Sequence, residues 1–235
     1  MVSFFSRILD LISPRACPLC GNRLSPTEET LCAPCNMQLP RTGYALQPTD
    51  NEMARLFWGH FPLERAIAWV RFEPHSQVAQ LFYDLKYHHH PEYGEQLGYM
   101  LAKEVSDDNA NTPFFDGIDA IVPIPLERRR EHQRGYNQSL MVARGINRYT
   151  DIPIVSHVIK RTSFTESQTR KDWWERQANV AEAFQLVKPD LIRGKHLLLV
   201  DDIVTTGATI TACAKELFQA EGIRISVLTV GFTKT

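Results

Sequence analysis

Asp201 and Asp202 are the residues best equipped for chemistry. They follow an apolar run, Leu197-Leu-Leu-Val200, and precede Ile203-Val-Thr205-Thr206-Gly207-Ala208-Thr209. A continuous apolar run reads as a buried parallel strand. Ligands of open α/β sheets sit beyond the carboxyl ends of such strands. Carboxylates placed there accept hydrogen bonds from vicinal hydroxyls, as on a ribose. Gly207 lets the loop backbone approach a phosphate closely. The N–H groups and macrodipole of the helix that follows favour an anion, and Thr205, Thr206 and Thr209 add hydroxyl donors. The pattern suits a sugar phosphate. The competing reading is a strand that ends in a solvated Asp-Asp turn capping the next helix.

A second set of residues carries positive charge. Arg128, Arg129, Arg130 and Arg134 lie between Pro125 and a helix expected to begin near Asn137. Arginine forks match phosphate oxygens; a solvated loop pairing with Glu127 and Glu131 is the alternative. A third stretch, Lys160 to Val180, is long, polar and basic, as active-site lids often are. In it Arg161, Gln168, Arg176 and Asn179 are candidates to close over a ligand. Trp173 and Trp174 would stack on a base or anchor the loop.

Of five cysteines, four form two CxxC pairs, Cys17/Cys20 and Cys32/Cys35. This spacing points to one tetrahedral four-thiolate Zn2+ site. Four thiolates leave no open position, so the ion would be structural. It would also supply folding free energy to a stretch too short for its own core. Disulfides are disfavoured in a reducing compartment. Cys213 reads as core. His88, His89 and His90 are consecutive, so they share no helix face and read as a solvated turn.

The elements that must position these groups can be read from periodicity. Residues 66–72, 118–122, 152–158, 197–200 and 225–230 are expected strands. Residues 76–87, 92–105, 136–149 and 211–221 are expected helices. Strands alternating with helices predict an α/β fold with a parallel sheet and right-handed crossovers. We expect a helix and zinc module over 1–45, a polar linker over 46–56 and the α/β domain over 57–235. At 235 residues, 43% hydrophobic and 23% charged, the composition is that of an ordinary globular protein. A net charge of -1 excludes a polyanion binder by bulk charge but leaves room for a local basic face. No apolar run is long enough for a membrane span. Phe5, Ile8, Leu9 and Ile12 share one helical face, interrupted for a signal peptide by Arg7 and Asp10. A cytoplasmic location is expected.

Val200-Asp-Asp-Ile-Val-Thr-Thr-Gly-Ala-Thr209 closely resembles the signature of the type I phosphoribosyltransferases. That likeness implies that Asp201 and Asp202 are the catalytic and ribose-binding pair for 5-phosphoribosyl 1-pyrophosphate (PRPP). It implies that Thr205, Thr206, Gly207, Ala208 and Thr209 hold the 5-phosphate. Arg128, Arg129 and Arg134 would meet the pyrophosphate, and Mg2+ would accompany PRPP. Adding the cysteine module, the Pro-Ile-Pro loop with Arg134-Gly-Tyr-Asn-Gln138, and the lid, nearly the whole chain resembles the ComF/GntX family. From its Leu-Lys-Tyr element that family adds Lys86 as a ligand-approaching residue. It implies a link to DNA uptake in natural competence, with single-stranded DNA or a DNA-processing protein as a partner. Two functions follow as expectations: transfer of a phosphoribosyl group to an acceptor, or PRPP binding by a non-catalytic adaptor.

Overall fold

The computed structural model describes residues 15–28, 30–74, 76–87, 91–108, 113–162 and 184–233. At its centre lies a four-stranded sheet of β1 (Ala66–Arg71), β2 (Ala120–Pro123), β5 (His196–Val204) and β6 (Arg224–Phe232), in the order β1-β6-β5-β2. All three pairings are parallel. Leu197 to Val200 are fully buried in the middle of this sheet, as an apolar run between two parallel neighbours must be. A short antiparallel pair, β3 (Ile159–Arg161) and β4 (Phe184–Leu186), stands apart.

The register explains where a ligand can enter. β2 pairs with β5 only as far as Pro123 opposite Val200, closed by the Ile124 N–H donating to the Val200 carbonyl at 2.9 Å. β6 continues alongside β5 to Val204 opposite Phe232. The strand therefore runs four residues beyond the apolar run, and Asp201 and Asp202 lie on the stretch that β2 leaves behind.

Helices α3 (Gln77–Tyr87), α4 (Pro91–Asp108), α6 (Gln138–Thr150) and α7 (Ala208–Leu217) follow the expected pattern. α4 and α6 cross at backbone contact. A Cβ on Gly98 would collide with the Val142 carbonyl oxygen, and one on Gly145 with the Glu95 carbonyl oxygen. Three shorter helices are α1 (Ala33–Met37), α2 (Glu52–Arg55) and α5 (Arg128–Arg134).

Two expectations change. Residues 152–158 contribute a single bridge, Ile154 to Ile121, and no strand. The chain grips the outer edge of β2 through Ile121 N–H to Pro153 O (2.9 Å) and Val155 N–H to Ile121 O (2.8 Å). Pro153, which has no N–H, suits an edge and not a full ladder. The polar stretch 46–56 carries α2 and is tied to β1. Asn51 caps α2 by accepting from Ala54 N at 2.9 Å, and its Nδ2 donates to the Ala66 carbonyl at 2.8 Å. One hydrophobic core runs from the cysteine module through the sheet to α7.

Candidate functional site

The acid pair is oriented by the start of α6. Asn137 caps that helix by accepting from Ser139 N at 3.0 Å, while its Nδ2 donates to the Ile124 carbonyl at 2.9 Å. One buried side chain thus fixes the helix start to the exit of β2. Ser139 Oγ then donates to Asp201 Oδ1 at 2.8 Å, across 62 residues of sequence. The same oxygen accepts from the Asp202 N–H at 2.9 Å, and Asp202 Oδ1 accepts from the Ile203 N–H at 2.8 Å. Asp202 is buried and Asp201 half-buried, so both carboxylates are held before any ligand arrives.

These groups line a cavity of about 170 Å³ with Ile124, Leu126, Arg130, Arg134, Gln138, Arg161 and Thr209. Arg130 and Arg134 are one helical turn apart on α5, which places them on one face. Gly135, at φ 80°, ends that helix, and its N–H donates to Glu131 O. Arg161 comes from β3, its guanidinium 5.3 Å from the Phe184 ring centre. On the other side, Gly207 takes φ 74° and opens α7. Two carboxylates, three guanidinium groups and two hydroxyls in one cavity can bind a polyol that also carries phosphate.

The cysteines form a second centre. The sulfur atoms of Cys17, Cys20, Cys32 and Cys35 all lie within 4.8 Å of one another, with Cys20 and Cys32 at 3.6 Å. A tetrahedral Zn–S distance of 2.3 Å places its sulfurs about 3.8 Å apart, so the four cysteines could hold a zinc ion. Gly21, at φ 72°, closes the first turn with its N–H on Cys17 O. Cys32 opens α1 and Cys35 lies within it. Glu28 ties the turns together, accepting from Ser25 N and Ala33 N at 2.7 and 2.6 Å. Burial pushes the Cys17 thiol up, but backbone donors from Cys32, Cys20 and Leu19 together leave it lowered, to about 7. Cys35 is raised, by burial and then by its sulfur neighbours. A cation among crowded thiols favours their ionised form.

Relatives align over nearly the whole chain. The DNA utilization protein YhgH of Escherichia coli K12 is 29% identical over 211 residues, covering 90% of this chain and 87% of that one. Competence protein ComFC of Bacillus subtilis is 24% identical over 90% of this chain and 75% of its own. Competence protein F of Haemophilus influenzae is 35% identical over 100 residues, 42% of this chain and 44% of that protein. The chain is thus similar, over most of its length, to proteins named for DNA utilization and for competence. No family model matches it. Among solved structures, an adenine phosphoribosyltransferase from Thermoanaerobacter pseudethanolicus is 15% identical with a TM-score of 0.37, over 67% of this chain and 86% of its own. An allosteric regulatory enzyme of purine biosynthesis is 20% identical with a TM-score of 0.38 over 59% of this chain, which spans 25% of that enzyme's length.

Apart from Gly207 at the start of α7, the residues singled out from sequence for this site separate as follows. Asp201, Asp202, Thr209, Arg134 and Arg161 meet at the cavity. Arg128, Arg129, Thr205, Thr206 and Ala208 are exposed, and none of them lines it. Lys86 lies in the last turn of α3, and its side chain lies outside the described atoms. Gln168, Arg176 and Asn179 lie outside the described residues. The sequence reading set Arg130 among the arginines suited to phosphate without assigning it to the pyrophosphate, and it left Gln138 and Ser139 out of the site. Reading 128–134 as a helix would have found Arg130, one turn from Arg134. No local signal marks Ser139, whose role depends on a strand far along the chain. Among the described residues no helix is long and apolar enough to cross a membrane.

Proposed function

We propose that this chain binds PRPP in the cavity at the end of β5 and transfers its phosphoribosyl group to an acceptor, in the service of DNA uptake or use. The meeting of Asp201 and Asp202 with Arg130, Arg134 and Arg161 in one cavity carries this reading. The carboxylates accept from the ribose hydroxyls. The stretch from Thr205 to Thr209, with the first turn of α7, takes the 5-phosphate. The pyrophosphate faces the arginines, with Arg128 and Arg129 contributing charge from outside the cavity wall, and Lys86 is a further candidate for the phosphates. Mg2+ takes oxygen ligands; the carboxylates of Asp201 and Asp202 and the oxygens of PRPP would supply them, and the ion would neutralise charge on the leaving group. Cys17, Cys20, Cys32 and Cys35 would hold a structural Zn2+.

In the reaction the acceptor forms a bond to the anomeric carbon as the bond to pyrophosphate breaks. The electron pair leaves with the pyrophosphate, and the acceptor loses its proton to solvent. The chain's own part is positioning and stabilisation of charge. Calorimetric titration with PRPP, with and without Mg2+, tests the binding. Asp201→Asn combined with Asp202→Asn should abolish it while leaving the circular dichroism spectrum unchanged. Equal affinity in the double variant overturns the assignment. Pyrophosphate release in the presence of a panel of bases and amines tests the transfer.

A second reading is favoured by one observation. Arg128, Arg129 and Arg130 are exposed on α5 beside the cavity, and the relatives carry DNA utilization and competence in their names. A PRPP-binding adaptor would use that face, with the cysteine module, to meet single-stranded DNA or a DNA-processing protein. Binding through phosphates weakens steeply with salt. A gel shift with single-stranded DNA that finds no affinity even at low salt removes the direct-DNA version.

A further inference from the structure

Gln138 is a polar side chain that the packing does not satisfy. It is 2% exposed and lines the cavity between Arg134 and Ser139. Its Oε1 accepts from Arg134 Nη1 at 2.8 Å. The orientation of the amide is chemically forced, because a guanidinium only donates and must face the amide oxygen. Nε2 is therefore turned away from Arg134, and it has no hydrogen-bond partner among the described residues. Buried donors are nearly always paired. Gln138 lines a polar cavity, so a ligand oxygen entering there is placed to complete the bond.

We propose that Gln138 is a specificity-determining residue of the cavity, a neutral donor that reads an oxygen of the group on the anomeric carbon. This rests on the PRPP reading and deepens it. The next residue, Ser139, holds Asp201, so the amide lies between the carboxylates and the arginines. With the 5-phosphate taken by Thr205 to Thr209 in that reading, a ligand whose hydroxyls meet Asp201 and Asp202 presents its anomeric substituent to the side of Gln138 and Arg134. Arg134 supplies charge at that place, but charge alone attracts any anion. The amide adds a fixed direction. It distinguishes a sugar with a diphosphate at the anomeric carbon from one with a hydroxyl there.

The test is titration of the full chain, with Mg2+, against PRPP, ribose 5-phosphate and inorganic pyrophosphate. Gln138→Glu keeps the shape but replaces the donor by an acceptor; Gln138→Met removes both functions without added charge. Thermal melts of each variant verify the fold. PRPP and pyrophosphate should weaken about 10- to 100-fold in both variants, the loss expected of a hydrogen bond to a charged group. Ribose 5-phosphate should change less than about threefold. Equal losses for all three ligands overturn the proposal by making Gln138 a general packing residue. Unchanged PRPP affinity in folded variants overturns it as well, while leaving the PRPP reading standing. Failure of the unaltered chain to bind PRPP removes that reading and this inference with it.

Discussion

Gly207 illustrates how much one residue settles at the site. It adopts φ 74° at the first cap of α7, and a Cβ there would lie 2.9 Å from Phe57 Cε1. Two costs would add in Gly207→Ala, the left-handed backbone and the push against a fully buried ring. Gly43 is the internal control, with φ 71° and nothing within 4 Å of its Cβ position. Gly43→Ala should lose about 1–2 kcal/mol, and Gly207→Ala more, by about 1–3 kcal/mol of overpacking. Urea midpoints at unchanged slope measure both. Equal losses would mean that Phe57 yields freely. Gly207 was legible in the sequence because its neighbours Asp201 to Thr209 are consecutive. Gln138 and Ser139 were not, because their place depends on β2 stopping opposite Val200 and on Asn137 anchoring α6 to that exit.

Among elements, α4 and α6 set the distance between the outer layer and the acid pair. Gly98 and Gly145 allow the two helix backbones to touch. Ala is the better helix former by about 1 kcal/mol, so an exposed Gly→Ala change would stabilise. Here the added methyl has a rigid carbonyl oxygen in its way, and overpacking of about 1–3 kcal/mol outweighs propensity. Gly98→Ala and Gly145→Ala should each destabilise in chemical denaturation, and a gain in either would show the crossing to be loose. Gly145→Ala should also weaken PRPP binding, since α6 carries Ser139 to Asp201. Elements with a strong period, such as β5 and α6, could be read directly. The bridge at Ile154 could not, because the apolar run 152–155 looks like a strand until Pro153 is placed at an edge. β3 and β4 escaped because three residues each, flanking a long polar stretch, leave no period to detect.

At the scale of the whole molecule the cysteine module is stitched to the outer edge of β1, which makes metal a matter for the sheet. Thr42 N–H donates to Trp69 O at 3.0 Å and Arg71 N–H to Pro40 O at 2.7 Å, and from the stretch just after the module Pro48 O accepts from Ala66 N–H at 2.8 Å. Arg41 joins Asn36, at the end of the second CxxC turn, to Glu104 on α4 at 2.6 Å. Cys17, Cys32 and Cys35 share the core that continues into β1. Structural zinc supplies folding free energy, so its removal should act where that free energy is spent. Chelation should first speed hydrogen exchange at the amides of Thr42, Ala66 and Arg71, which border the module. Leu198 and Leu199, paired on both sides in the middle of the sheet, should keep their protection, because local opening draws on the least supported contacts. Uniform acceleration would mean that the module and the sheet unfold as one unit. No acceleration at Thr42 would mean that the edge holds without the metal, and that the four cysteines stabilise only their own turns.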